Sequence, residues 1–513
     1  MVLIIKFMCR VLLFLFLLAS SFQGVTGQVL PSEGGKLSYR IIGFTFPAQN
    51  WATSYDIEIA NGTQTAEAGF YKNVIKTIHS KSNKIIGEVP AFGKPYTWRI
   101  VLMGKDGTKT KSYLYHFSTL MSRNVDPAVS RLRITKAAEK YKDAFVFVDG
   151  MRALYDMKGN PVWFLPGTDG ANKEVATRDL KLTPQGSITF MTQSRPFDID
   201  YNGNILWQYI ENKANQGIDT FHHEFTKLTN GHYMGMILVD DYRLLPGFEG
   251  KVAHNATDSA RFLKNFQYNS IVEYDEHNQL VWHWSGADYI NNSDLRARTA
   301  EEWGSMNHDL HENGFYFDEK NKNIYLSFRN ISRIIKIKYP EGTVLNTYGP
   351  LYKPGEKEWI NELFCKQHSC RLSEKGYLYL FNNNECGLSA IPTVELLQAP
   401  GPGGSELKKV WEFECPIEEP IRTEIEKSHL FFHSGGNVVE LPDQSLLVDM
   451  SNDVYCKVFI VSPEKKIFWS AIPEVYDPAK KKWQPPINGV YRASIIPSRK
   501  ELERLIWNSE KGY

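Results

Sequence analysis

Short runs of alternating apolar and polar residues, separated by turn residues, make up most of the chain and predict β-strands. In one recurring pattern an acidic or polar turn precedes an apolar strand that ends near tryptophan. Its six copies, three of them weaker, are residues 156–163, 200–207, 275–282, 339–348, 407–411 and 463–469. A second pattern of strand, polar turn and strand alternates with it, in residues 180–190, 225–233, 314–326, 370–381, 438–448 and 491–498.

The alternation of these two patterns predicts a six-bladed β-propeller over residues 142–513. Each strand–turn–strand segment would form the inner hairpin of a blade, and each tryptophan segment would form the outer strands. The last inner segment, residues 491–498, would pair with outer strands from residues 145–164. Such a pairing closes the ring and leaves no exposed sheet edge.

Residues 28–120 have a different pattern, which predicts a separate β-sandwich of immunoglobulin or fibronectin type. Residues 53–60 and 96–102 alternate, and Asn61-Gly62 and Asp106-Gly107 provide turns; residues 111–117 follow as a further strand. Residues 121–141 are expected to be a linker with some helical character. The fold class is therefore all-β.

The pattern of the N-terminus is typical of a targeting segment. Lys6 and Arg10 precede the apolar run 11–22, and the small residues of 25–27 offer a cleavage site. Because the run is about half as long as a membrane-spanning helix needs to be, we expect a signal peptide over residues 1–27, a periplasmic or secreted protein, and no stable membrane insertion. The net charge of +1 gives no reason to expect nucleic acid as a partner.

Export permits disulfide bonds. Five cysteines remain after cleavage, which leaves at least one thiol outside any pair within the chain. We expect Cys365 and Cys370 to be paired, because their proximity in sequence makes closure of the loop easy.

The predicted propeller gathers residues that are far apart in sequence, because the entries to the inner strands share one mouth of the central channel. The residues at or next to these entries are Arg178, His222, His223, His311, Asn313, Arg329, His368, Ser434 and Arg492. Imidazoles and guanidinium groups together suit an anion with three or four oxygens, such as sulfate or phosphate. Converging cations would also lower the pKa of each histidine. Three imidazoles could instead bind zinc, but the arginines favour an anion, and we expect no metal.

Several of these phrases resemble the bacterial arylsulfate sulfotransferases, which are exported six-bladed propellers preceded by a small β-sandwich. The phrases are Phe221-His222-His223-Glu224, Leu310-His311-Glu312-Asn313, Ser327-Phe328-Arg329, Gln367-His368, Phe381-Asn382-Asn383, Gly435-Gly436-Asn437 and Tyr491-Arg492-Ala493. The resemblance covers residues 29–498. It implies that His368 is a transient sulfohistidine nucleophile and that His223 or its neighbour His222, His311, Asn313 and Arg329 bind the sulfuryl group. It also implies a disulfide loop near the nucleophile.

By the same resemblance, the chain is an arylsulfate sulfotransferase that moves a sulfuryl group from an aryl sulfate to a phenolic acceptor. It would need neither a nucleotide sulfate nor a cofactor, and a homodimer is among the expected forms. We expect His368, His223, His311 and Arg329 to be catalytic, and His222, Asn313, Ser434, Arg178 and Arg492 to bind substrate. The chain departs from the family at Glu224, where aspartate is usual, at Gly314-Phe315, and at Ser434, the only candidate for a hydroxyl from the fifth blade.

Two other function classes stay open on the sequence. A non-catalytic exported propeller could bind a partner or glycan through its mouth, without needing the set of histidines and arginines. A hydrolase or lyase of sulfated or acidic substrates would need a carboxylate or metal to activate water, and Glu224 and Asp309 are the only carboxylates in suitable positions.

Overall fold

A computed structural model describes residues 28–167, 176–192, 195–210, 220–244, 263–290, 294, 310–350, 363–386, 391–399, 406–428, 432, 435–452, 454–486 and 489–509. The predicted signal peptide lies outside these residues. The chain divides into two compact units, Met1–Met121 and Ser122–Tyr513. Among the described residues, no helix combines the length and apolar character needed to cross a bilayer.

The first unit is built of eight strands and one short helix within its described part. The strands are β1 (Gly35–Leu37), β2 (Ile41–Thr45), β3 (Ala52–Asn61), β4 (Val74–Ser80), β5 (Lys84–Glu88), β6 (Pro95–Gly104), β7 (Lys109–Lys111) and β8 (Tyr115–Thr119), and the helix is α1 (Glu67–Lys72). One sheet has the order β1-β8-β6-β3-β4 with β7 also on β6, and β2 pairs with β5. The strand predicted over 111–117 is divided between β7 and β8, because residues 112–114 leave the ladder.

The second unit is also dominated by strands. They are β9 (Ser130–Lys136), β10 (Phe145–Val148), β11 (Ala153–Asp156), β12 (Pro161–Phe164), β13 (Thr177–Leu182), β14 (Ile188–Thr192), β15 (Arg195–Ile199), β16 (Ile205–Gln208), β17 (Thr220–Lys227), β18 (Tyr233–Leu244), β19 (Leu263–Tyr274), β20 (Leu280–Ser285), β21 (Glu312–Asp318), β22 (Asn323–Phe328), β23 (Arg333–Lys338), β24 (Val344–Tyr348), β25 (His368–Leu372), β26 (Tyr377–Asn382), β27 (Thr393–Gln398), β28 (Lys408–Glu414), β29 (Asn437–Glu440), β30 (Leu446–Ser451), β31 (Cys456–Val461), β32 (Ile467–Asp477), β33 (Lys482–Gln484) and β34 (Ala493–Ile496). The helices are α2 (Gly286–Tyr289), α3 (Glu419–Ser428) and α4 (Arg499–Ser509), with 3-10 turns at Arg123–Val125 and Asp149–Met151.

These strands form six antiparallel sheets in the described part of the second unit. Four of them follow chain order, β13 to β16, β17 to β20, β21 to β24 and β25 to β28. A fifth runs from β29 to β33 and also holds β9. The remaining sheet, β12-β11-β10-β34, joins the last strand of the chain to the first ones, so the two ends of the unit share a ladder. The predicted all-β class is confirmed.

Hydrophobic side chains pack mainly between neighbouring sheets. One cluster joins Met236 and Ile271 of one sheet to Leu326 and Ile335 of the next. Burying such faces from both sides holds successive sheets together, at about 25 cal/mol for each Å² of apolar surface removed from water. The first strands of five sheets and β34 of the remaining sheet are also neighbours, in the order β34, β13, β17, β21, β25 and β29. Residues that enter these strands are therefore brought together.

Part of the predicted linker is a strand rather than a helix. β9 pairs with β32, and its residues alternate between buried and more exposed positions. Pairing with a distant strand, some 340 residues later, decides this conformation, and the helical character of the predicted linker is confined to the 3-10 turn Arg123–Val125. The C-terminal helix α4 was not predicted; it buries Leu502, Leu505 and Ile506 on one face.

Candidate active site

Each of four successive first strands departs from regular pairing at the point where the predicted site residues lie. Register shifts interrupt β13, β17, β21 and β25. A residue with left-handed backbone lies within three of the shifts, at Asp179 (φ 57°), His223 (66°) and Ser369 (53°), and His311 (56°) directly precedes β21. Such irregularities redirect side chains that regular alternation would send to the two faces of a sheet. The sequence alone did not reveal them, because none of the four is glycine.

His368 begins β25 and is 2 % exposed. Its Nδ1 lies 2.7 Å from Oδ1 of Asn383, which follows the neighbouring strand β26. Burial, followed by the positive charge of Arg329, lowers the pKa of His368 well below its ordinary value, although the bond to Asn383 opposes the shift. The imidazole is therefore neutral at physiological pH.

Two further histidines reach the same region from the preceding sheets. The ring centroid of His223 lies 4.9 Å from that of His311 and 5.6 Å from that of Tyr491. Tyr491 in turn lies 6.3 Å from His368, centroid to centroid. Nδ1 of His222 contacts Nδ1 of His223. His223 is therefore the histidine of this pair that lies next to His311, and His222 holds His223 from the other side. Burial lowers the pKa of His223 well below its ordinary value, and His222 is the next cause.

Arg329 directly follows β22 and is tied to the loop of His311. Its backbone N–H donates to the carbonyl of His311 at 2.9 Å. Its Nη2 donates to both oxygens of Glu385, at 2.6 and 2.7 Å. Nε of Arg329 is buried and has no hydrogen-bond partner among the described residues.

Asn313 lies in β21 and supports the loop that precedes His368. Its Nδ2 donates to the carbonyl of Gln367 at 2.7 Å, directly before His368. Oδ1 of Asn313 is buried without a hydrogen-bond partner in the described part of the chain. The contact that the structure shows for Asn313 is therefore a structural one, and its unpaired Oδ1, which can only accept, cannot bind a sulfuryl oxygen.

Arg492 forms ion pairs with two buried carboxylates. Its Nη1 pairs with Glu224 and lies 3.3 Å from Asp179, and its Nη2 donates to the carbonyl of Asn313. Glu224 also binds Lys181 at 2.8 Å, and the positive charges around it lower its pKa despite burial. Arg492 is thus neutralised, and Glu224 is a poor general base. Its longer side chain, compared with aspartate, reaches three cations.

Arg178 lies at the edge of the histidine cluster, against Tyr491. The side chain is exposed, and its Cζ is 5.3 Å from the centre of the Tyr491 ring. A cavity of about 140 Å³ is lined by both residues. Ser434 and Asp309, which the sequence put forward as a substrate-binding hydroxyl and a candidate base, lie outside the described residues.

A cavity of about 840 Å³ adjoins the cluster of ion pairs around Glu224 and is not lined by the histidines. Lys181, Arg371 and Arg492 line it together with Asp179 and Asp318. We assign the chemistry to the histidine cluster, because it holds the neutral imidazoles of His223 and His368. Within the described ranges, no group of three His, Cys, Asp or Glu is positioned to hold a metal.

The predicted disulfide is corrected by the structure. Cys365 is bonded to Cys386, with Cα atoms 5.8 Å apart, and Cys370 is a free buried thiol. The pairing with Cys370 was wrong because Cys370 lies within β25 and packs with Tyr325 and Leu378. Cys386 comes just after β26, and that strand runs back alongside β25 towards Cys365. The antiparallel pairing of β25 and β26, and not proximity in sequence, determines which cysteine reaches Cys365.

The sequence matches the family described as Arylsulfotransferase (ASST) over residues 130–395, more than half of the chain. The chain belongs to the arylsulfotransferase family. Membership in this family supports aryl sulfotransfer as its general chemistry, and all the imidazoles of the cluster fall within the matched region. The chain matches none of the curated proteins.

Solved structures similar to this arylsulfotransferase-family chain are distant. One is a protein of unknown function from Bacteroides caccae, with 13 % identity, a TM-score of 0.37 and coverage of 64 % of this chain and 93 % of that one. Another is a quinonprotein alcohol dehydrogenase-like protein from Bacteroides thetaiotaomicron, with 10 % identity, a TM-score of 0.31 and coverage of 88 % and 97 %. A third is a putative 6-phosphogluconolactonase from Bacteroides fragilis, with 11 % identity, a TM-score of 0.23 and coverage of 88 % and 99 %.

Three residues of this arylsulfotransferase-family site were missed as functional candidates. Asn383, Glu385 and Tyr491 contact His368, Arg329 and His223 respectively. Asn383 and Tyr491 stand within phrases that the sequence had singled out, but neither phrase reveals which side chain faces the site. Glu385 carried no signal beyond its place next to Cys386.

Proposed function

We propose that the protein transfers a sulfuryl group from an aryl sulfate to a phenolic acceptor through a covalent intermediate on His368, without a nucleotide sulfate. One observation carries the proposal: a buried, neutral imidazole lies next to an arginine and two further histidines. A neutral imidazole has a lone pair for attack, and the cationic and N–H donors suit the oxygens of a sulfuryl group.

In the first half of the reaction His368 attacks sulfur, and the bond between sulfur and the aryl oxygen breaks. Negative charge grows on that oxygen, so a histidine that gives it a proton speeds departure. We assign this proton to His311, because the lowered pKa of His223 keeps that ring neutral. His223, the second hydrogen of Nδ2 of Asn313 and the unpaired Nε of Arg329 would donate to the sulfuryl oxygens. His222 would hold His223 in place through their contact, and Arg178 would add positive charge at the edge of the cluster, next to Tyr491.

In the second half the acceptor phenol gives its proton to His311, and its oxygen attacks sulfur. The nitrogen–sulfur bond breaks, and both histidines return to their starting states. Two displacements at one nitrogen predict ping-pong kinetics. Each step uses only these side chains and the two substrates.

The architecture proposed with this function is a six-bladed propeller preceded by a β-sandwich. Six sheets, the contacts between successive first strands, and the ladder between β34 and β10 support the propeller. The two sheets of the first unit support the sandwich. We also propose a periplasmic or secreted location, supported by the apolar run 11–22 and by the disulfide.

The test is to incubate the purified protein with an aryl sulfate, with and without a phenol, and to follow phenol release and sulfated acceptor. His368→Ala should abolish transfer, along with the mass increase of about 80 Da that SO₃ adds to the His368 peptide in the wild type. His277→Ala is the matched control, since the side chain of His277 is 78 % exposed in a turn. Near-normal turnover of His368→Ala would overturn the proposal.

A further inference from the structure

We infer that Asn383 is a positioning residue that holds the proton of His368 on Nδ1 and leaves Nε2 as the attacking atom. The inference rests on the proposed function and specifies which nitrogen performs it. It follows from the hydrogen bonds of one buried amide.

The side-chain amide of Asn383 is fixed by the backbone of the following sheet. Its Nδ2 donates to the carbonyl of Phe432 and, at 3.0 Å, to the carbonyl of Gly435. A carbonyl oxygen can only accept, so the atom that faces these two carbonyls must be the NH₂ group. The other atom, Oδ1, is therefore the one that faces His368.

This orientation determines the tautomer of His368. Oδ1 of Asn383 can only accept, so Nδ1 of His368 must carry the hydrogen across their 2.7 Å contact. Because the ring is neutral, Nε2 then has no hydrogen and presents its lone pair. The fully buried Asn383 has spent both of its N–H donors, so it cannot rotate to stabilise the other tautomer without leaving buried carbonyls unpaired.

The same bond serves the intermediate. When Nε2 bonds to sulfur, the ring becomes cationic and keeps its Nδ1 hydrogen. Oδ1 of Asn383 accepts that hydrogen in both states, so no rearrangement accompanies the transfer. A neutral amide, unlike a carboxylate, does this without raising the pKa of the resting ring to the point of protonation.

The neighbouring asparagine provides a matched control. Asn384 donates its Nδ2 to the carbonyl of Ile391 at 3.1 Å and belongs to the same loop, and within the described part of the chain none of its hydrogen bonds reaches His368. Its backbone is left-handed at φ 57°, which aspartate tolerates. Asn384→Asp therefore removes a partly buried amide donor from the loop and leaves the bond to His368 in place.

The experiment compares Asn383→Leu, Asn383→Asp and Asn384→Asp with the wild type. Nitrogen NMR of protein labelled at histidine reports which ring nitrogen of His368 carries hydrogen, assigned by its loss in His368→Ala. We expect Nδ1–H in the wild type, in Asn383→Asp and in Asn384→Asp, and a mixture of tautomers in Asn383→Leu. Sulfuryl transfer from an aryl sulfate should fall about 100-fold in Asn383→Leu.

Asn383→Asp distinguishes positioning from a structural role. Its carboxylate still accepts from Nδ1 but favours the cationic ring, so the acid limb of the pH profile of kcat/KM should move to higher pH. Activity above that limb should exceed that of Asn383→Leu, although both variants lose the donors to the two carbonyls. Asn384→Asp should keep the wild-type profile.

Hydrogen on Nε2 in the wild type would overturn the inference, as would transfer by Asn383→Leu within about threefold of the wild type, since losing the group that fixes the tautomer of a catalytic histidine costs far more than that. The NMR result does not depend on turnover. A protein that keeps Nδ1–H but transfers no sulfuryl group would therefore overturn the proposed function and leave the tautomer assignment intact.

Discussion

Cys386 is bonded to Cys365, so the disulfide spans the whole hairpin that carries the nucleophile candidate. Cys365 stands three residues before His368, and Cys386 three residues after Asn383. The covalent link thus joins both ends of the segment that provides the imidazole and its hydrogen-bond acceptor.

Peptide mapping under non-reducing conditions should find Cys365 joined to Cys386 in protein matured under oxidising conditions. Cys386→Ala should lower the free energy of unfolding by about 3 kcal/mol, since the bond closes a loop of roughly 20 residues. Cys370→Ala should cost about 1 kcal/mol, for a small cavity. A peptide joining Cys365 to Cys370 would contradict the assignment.

The pH dependence of transfer should report the lowered pKa of His368. The acid limb of kcat/KM should lie below the ordinary pKa of histidine, about 6.5. Arg329→Gln removes the largest cause after burial, so the limb should move to higher pH while transfer weakens. Arg371→Gln, which alters the cluster around Glu224, should leave the limb in place.

The same shift affects folding with a definite sign. The unfolded chain protonates this histidine near pH 6.5, whereas the folded protein resists protonation until a lower pH. The contribution of His368 to stability is therefore complete above about pH 6.5 and is lost as the pH falls below that value. If the acid limb of kcat/KM in the wild type lay above pH 6.5, the lowered pKa of His368 would be contradicted.

Gly436 should resist substitution more than a glycine with similar backbone strain. Its φ is 114°, and a Cβ there would overlap the ring of Phe381, the cross-strand partner of His368. Gly436→Ala should lower the free energy of unfolding by about 3 kcal/mol or more, from strain and overpacking together. Gly376 has φ 82° and open space around it, so Gly376→Ala should cost only about 1 kcal/mol. Equal losses in urea denaturation would refute the close approach.

Asp149 joins the two ends of the second unit. Its carboxylate accepts from the backbone N–H groups of Tyr491, Arg492 and Asp179. Asp149→Ala leaves these buried donors unpaired, and we expect a loss of about 3 kcal/mol or more in urea denaturation. Asp156→Ala is the control, because the Asp156 carboxylate caps an exposed turn. A loss no greater than that of the control would show that the ends are held by other contacts.

The sequence determined the all-β class and most hairpins, because alternation and turn residues are local signals. Trp163 and Trp207 ended apolar segments that are strands in the structure. Imidazoles near the entries to these hairpins could be found in the same way. The strand β9 could not, since its conformation depends on pairing with β32, far along the chain.

Only the tertiary structure decided which polar groups neutralise one another. Arg492 and Arg329 look alike in sequence, yet Arg492 is buried among Glu224, Asp179 and the carbonyl of Asn313, while Arg329 pairs with Glu385 next to the loop of His311. The role of Asn383 within a run of three asparagines depends on strand register and on two carbonyls of the next sheet. Hydrogen bonds act over about 3 Å, so residues far apart in sequence acquire partners only when the sheets are assembled.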